Sequence, residues 1–202
     1  MLIKASRITN LTDARYFAAK EVDFLGFNLE SGTEGYLDPM YMKAIREWVE
    51  GPKIVGEFSR ATMPYIREAA AFFGLDAVQI TADYSTQLAQ LEGITVILEV
   101  EADALGDEPF FRTAAPYVSY FLIKINFENP GSENVWTDPF GLLKNICTQY
   151  PVLLQTDASA AQLPAIIETV NPAGLSLAGG EEERVGVKSF DEIEEIFDVL
   201  GR

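Results

Sequence analysis

The segment LIKASRITNLTDARYFAAKEVDFLGFNL, residues 2–29, reads as one strand–helix–strand unit. Its first run, LIKAS (2–6), and its last, FLGFNL (24–29), are short and mostly apolar. Nearly continuous apolar runs of this length are expected of parallel strands covered on both faces. Between them the spacing predicts a helix over Asp13–Glu21. Parallel strands need such a crossover, so the fold turns on how often the unit recurs.

It recurs along the whole chain. Further strand runs are KIVGEF (53–58), AVQI (77–80), TVILEV (95–100), YFLIKI (120–125), PVLLQ (151–155) and GLSL (174–177). Helices are predicted over Pro39–Val49, Met63–Phe73, Ser85–Leu91, Asp107–Ala115, Pro139–Gln149, Ala160–Val170 and Ser189–Leu200. Pro39 and Pro64 fall in first turns, where a missing N–H costs nothing, and Asp38, Thr62 and Ser189 stand where N-caps belong. The last helix spaces Phe190, Ile193, Ile196, Phe197 and Leu200 along one face, with acids between. Eight units in 202 residues leave about 25 residues each, the lower end for a (βα)8 TIM barrel. The open doubly wound sheet is the alternative, but its glycine-rich turn after the first strand is missing. The expected fold is therefore α/β, a single (βα)8 barrel domain over residues 1–202, with no linker or repeat to divide it.

Composition narrows the functions. The chain has 15 Lys and Arg against 31 Asp and Glu, a formal charge of −16. It supplies no basic cluster for nucleic acid or anionic membranes, and neither is expected as a partner. No apolar run approaches a membrane span and MLIKASR is no secretory leader, which points to a cytoplasmic protein. The chain has no histidine and one cysteine, Cys147, set among apolar residues and read as packing. No disulfide framework, no metal site and no cofactor is expected, and any acid/base chemistry falls to carboxylates, Lys, Tyr or water.

In such barrels the working groups lie where strands end and in the loops that follow. Two features stand out. SLAGGEEE (176–183) puts Gly179 and Gly180 after the last strand, where backbone N–H groups can cradle a phosphate or simply form a tight turn. The following three glutamates weigh against an anion there. Lys124, within YFLIKI, should carry its amine to the barrel mouth. It is either a desolvated nucleophile or the ion-pair partner of a carboxylate such as Glu99 on the neighbouring strand.

With these residues the chain resembles the phosphoribosylanthranilate isomerase family over nearly its full length. The resemblance rests on K-x-x-x-I-T-N-L-x-D-A at Lys4–Ala14, D-x-x-G-F at Asp23–Phe27 and GYLDP at 35–39. It continues with V-G-x-F at Val55–Phe58, LDAVQ at Leu75–Gln79, and the glycine and lysine frame from Gly180 to Ile193. The resemblance implies a (βα)8 barrel of tryptophan biosynthesis, monomeric or homodimeric, that isomerises a phosphorylated aminoaldose to an aminoketose by an Amadori rearrangement. That reaction needs an acid at the ring oxygen and a base at C2. The resemblance implies a cysteine base after the first strand and an aspartate acid at the end of the sixth; here these positions read Ser6 and Lys124.

Other implied site positions differ too. Arg7 replaces a glycine, Gly35 an arginine, Thr81 a histidine and Glu99 a lysine. Gln155, Thr156 and Asp157 stand for the phosphate-binding S-G-G, and Ser176 for an aspartate. Glu99 with Lys124 thus reads as a charge swap between adjacent strands. A serine hydroxyl has no appreciable anion near neutrality without a base, whereas a thiol, at about 8.5, is easily tuned. Ser6, Lys124 and Glu99 are the catalytic candidates, and Arg7, Asp157, Ser176, Gly179 and Gly180 the candidates for a phosphorylated sugar-type ligand. Three functions follow: the family isomerisation, another sugar-type enzyme using Lys124, or a non-catalytic binding relative.

Overall fold

Each of the eight strand runs forms a strand in the computed structural model, which describes residues 1–126, 139–178, 182–184, 187–188 and 190–202. They are β1 (Leu2–Ser6), β2 (Phe24–Asn28), β3 (Lys53–Phe58), β4 (Ala77–Thr81), β5 (Val96–Glu101), β6 (Tyr120–Ile125), β7 (Val152–Thr156) and β8 (Gly174–Ala178). Neighbours pair in parallel around the ring, and β8 closes on β1 with Leu2 opposite Gly174 and Ser6 opposite Ala178. This is the closed (βα)8 barrel. Gly174 is required by that closure, since a Cβ there would stand 2.4 Å from the Leu2 carbonyl oxygen.

Side chains alternate between the two faces of the barrel wall. One parity, with Ile3, Ala5, Leu25, Phe27, Val78, Ile80 and Leu98, joins the large apolar core shared with the helices. The other parity points to the axis. At the amino-terminal end it forms a separate small cluster of Phe24, Val55, Ala77, Ile97, Leu122 and Leu153. Two residues further along the strands the same parity carries Lys4, Gly26, Glu57, Gln79, Glu99, Lys124, Gln155 and Ser176. The barrel axis is therefore plugged by hydrocarbon below and polar above.

Helices α1 (Leu11–Ala19), α2 (Pro39–Arg46), α3 (Met63–Phe73), α4 (Glu108–Ala114), α5 (Pro139–Gln149), α6 (Leu163–Val170) and α7 (Asp191–Leu200) cover the outside. Asp38 caps α2 as expected, accepting from Met40 N at 2.8 Å. Several expectations change: α2 ends at Arg46 rather than Val49, and α6 starts at Leu163 rather than Ala160. Helix α1 starts two residues earlier than read, because Asn10 Oδ1 accepts from Asp13 N and sets the first turn. Thr62 precedes α3 without a side-chain cap bond. The segment expected as an α-helix over Ser85–Leu91 is 3₁₀ throughout Ala82–Leu91, where Asp83, Ser85 and Thr86 compete for backbone hydrogen bonds and favour turns. Ser189, the expected cap of the last helix, lies outside the described residues. After β8 come two short antiparallel strands, β9 (Glu182–Arg184) and β10 (Val187–Lys188). Among the described residues no helix is long and apolar enough to cross a membrane.

Candidate functional site

The polar layer begins with Lys4, which is wholly buried in the middle of β1. An isolated ammonium there would be prohibitive, so it needs partners. Its Nζ lies 2.5 Å from Glu57 Oε1 on β3 and donates to Ser6 Oγ at 2.6 Å. Between β1 and β3, Gly26 leaves the room: a Cβ at that position would come within 2.0 Å of Glu57 Oε1 and 2.7 Å of Lys4 Nζ. Ser6 Oγ is also 2.9 Å from Ser176 Oγ on β8. Ser6, at 5% exposure, thus has a charged donor on one side and a hydroxyl on the other, neither of which can take its proton.

A second pair stands on the opposite side of the axis. Lys124 Nζ on β6 binds Glu99 Oε1 on β5 and lies 3.7 Å from Glu101 Oε1. Glu99 Oε2 accepts from Gln79 Nε2 at 2.6 Å, so both carboxylate oxygens are occupied. The contact expected between Glu99 and Lys124 is present, and the two charges form one pair on adjacent strands. The Gln79 amide orientation follows, because the reverse would set its oxygen against the carboxylate. Gln79 Oε1 is then buried with no donor among the described residues.

The rim is fastened by loop carboxylate and amide groups. Asn28 Nδ2 holds Thr33 Oγ1 and the Glu34 carbonyl, folding the loop after β2 over the opening. Buried Glu30 accepts from Ser59 N, Ser59 Oγ and Arg60 N at 2.8 Å or slightly more, tying the loop after β3 to it. Arg7 is exposed at the end of β1 with φ +55°, in the left-handed region that glycine adopts without penalty. Together these surround an open cavity of about 470 Å3. Ser6, Glu57, Gln79, Glu99 and Lys124 line it below, and Arg7, Ser59, Arg60, Thr33 and Glu34 above.

The expected candidates do not all gather there. Ser6, Arg7, Glu99 and Lys124 line the cavity, whereas Ser176 is buried beneath it as a partner of Ser6. Asp157 is exposed in a shallower hollow beside it, shared with Lys124 and Gln155. Gly179 and Gly180 lie outside the described residues. Cys147 is a partly buried packing residue on α5, its thiol pushed up to about 12 by burial, so it offers no substitute thiolate. No group of three His, Cys, Asp or Glu side chains among the described residues could hold a metal ion. Glu57 stands at the end of β3, where a working group is expected, whereas the sequence reading gave no site role to Lys4 or Gln79. Their signal was parity: an even step along each strand from an apolar interior residue.

Comparison with known proteins agrees with the fold. The chain is 23% identical to an N-(5'-phosphoribosyl)anthranilate isomerase of Maridesulfovibrio salexigens, covering 100% of this chain and 99% of that protein. It is 25% identical to one of Parabacteroides distasonis, over 96% and 90% of the two chains. Among solved structures, the phosphoribosyl anthranilate isomerase from Thermus thermophilus matches with a TM-score of 0.74 and 25% identity, covering 100% of this chain and 98% of that one. The Thermotoga maritima isomerase superposes with a TM-score of 0.78 over the full length of both chains at 22% identity, a likeness of fold. No protein-family profile matches the chain. Over nearly its full length the chain is similar in sequence, and in fold, to phosphoribosylanthranilate isomerases.

Proposed function

We propose that this barrel binds a phosphorylated sugar-type ligand at its mouth without carrying out the isomerisation of its relatives. The observation that carries the reading is the engagement of Lys124 and Ser6, the residues at the implied acid and base positions. Lys124 is ion-paired with Glu99, so giving up its proton would leave a partly buried carboxylate uncompensated. Ser6 is held between the Lys4 ammonium and the Ser176 hydroxyl, with no base in reach. At the two implied acid/base positions stand groups that are each engaged with other neighbours.

Ligand binding is supported by the cavity's size, which suits a small molecule, and by the cations Arg7, Arg60 and Lys124 among its lining residues. A phosphoribosyl anthranilate isomerase of the same fold was solved in complex with reduced 1-(o-carboxyphenylamino)-1-deoxyribulose 5-phosphate, a compound of this class. The exposed Arg7 supplies positive charge at the rim, while Asp157 stands where the resemblance implies the phosphate loop. The phosphate is accordingly assigned to the Arg7 and Arg60 side. Expression in a tryptophan auxotroph lacking the isomerase tests the loss of activity: no growth is expected even at high expression, and growth would overturn the proposal. Titration calorimetry with the same reduced ribulose phosphate compound tests the binding half.

A further inference from the structure

Two acceptors in the cavity wall lack a donor among the described residues, and they are neighbours. Glu57 takes its ion pair through Oε1 alone, leaving Oε2 open, and Gln79 Oε1 is left over when Nε2 serves Glu99. Both residues are more than nine-tenths buried and both line the cavity. They sit directly opposite each other in register on β3 and β4, which puts their backbones about 5 Å apart. A buried acceptor without a donor is costly, so Gln79 Oε1 calls for a partner, while Glu57 Oε2 beside it keeps some exposure toward the cavity.

What fills them must bring donors and no negative charge. Glu57 is an ionised carboxylate held by Lys4, and Glu99 lies on the next strand. A phosphate placed on this floor would meet two carboxylates, so the anionic end of any ligand belongs at the rim. Neighbouring sugar hydroxyls have the required polarity: their oxygens, about 3 Å apart, can each donate one hydrogen bond of ordinary length to acceptors carried on adjacent strands. We infer that Glu57 Oε2 and Gln79 Oε1 form a subsite for the vicinal diol of a pentose phosphate, selecting hydroxylated over deoxygenated sugars. The inference rests on the reading of the mouth as a sugar phosphate site and fixes the ligand's direction in it, hydroxyls down and phosphate up. Gly26 belongs to the same device, since it leaves Glu57 the room to reach this position.

Titration calorimetry of the wild-type chain with D-ribose 5-phosphate, 2-deoxy-D-ribose 5-phosphate and inorganic phosphate decides it. In its ring form the deoxy sugar keeps no vicinal pair. Ribose 5-phosphate is expected to bind at least about tenfold more tightly than the deoxy sugar, the value of one hydrogen bond to a charged acceptor. Gln79→Met should bring the two sugars to within about twofold while inorganic phosphate binds as before. Equal binding of the two sugars to the wild type, both tighter than phosphate, overturns this inference and leaves the sugar phosphate site standing. Binding of none of the three overturns both. The wild-type comparison stands by itself if the variant does not fold.

Discussion

The two ion pairs of the barrel mouth are built from the same residue types and differ in almost everything else. Lys4 and Glu57 are 0% and 10% exposed and sit across the glycine of an intervening strand, whereas Lys124 and Glu99 are 27% and 15% exposed on adjacent strands. Lys4 has two partners, Glu57 and Ser6, within hydrogen-bond reach and no access to solvent; Lys124 has a second carboxylate, Glu101, and open cavity beside it. A fully buried lysine cannot lose its carboxylate cheaply, because it stays buried and charged. A partly exposed one can. The first is therefore a structural tie that also aims Glu57 at the cavity, and the second is an adjustable part of the site.

Variants that remove one partner should separate the two. Glu57→Leu leaves Lys4 charged and dry, and is expected to cost about 3–5 kcal/mol in urea unfolding. Adding Lys4→Met should recover most of that loss, and a double variant as unstable as the single one would show that the pair is not the cause. Lys124→Met leaves Glu99 its Gln79 bond and contact with solvent, so about 1–2 kcal/mol is expected. Equal losses at the two sites would erase the contrast. The smallest effect concerns the rim. Arg7 holds φ +55°, so Arg7→Gly should be about 1 kcal/mol more stable than Arg7→Ala in thermal unfolding. Both should bind inorganic phosphate more weakly than the wild type if Arg7 serves the ligand.

Much of the fold was legible because its signals are local. KIVGEF and YFLIKI form strands over the residues expected, and Met63–Phe73 and Pro139–Gln149 form helices over theirs. Asp38 with Pro39 marked the start of α2, as its cap and its first residue. Where short polar side chains offered the backbone other bonds, as in Ala82–Leu91, periodicity suggested the wrong helix type. The site was less legible. Glu99 with Lys124 could be paired from the sequence because their strands adjoin, but Lys4 with Glu57 spans 53 positions and skips a strand. Lys4 stands in register with Ser176, where the resemblance implies an aspartate, yet the carboxylate that answers it comes from β3.

The sequence by itself determined the barrel, its eight strands and the absence of the implied cysteine and aspartate, since each depends on residue type and short-range period. Only the tertiary structure decided how the residues at those positions are partnered. Interior contacts in a closed barrel run across the axis between strands far apart in sequence, and they are set by the parity of each strand, the stagger of the ring and the gap that Gly26 leaves. Those are properties of the closed sheet, and no single strand carries them.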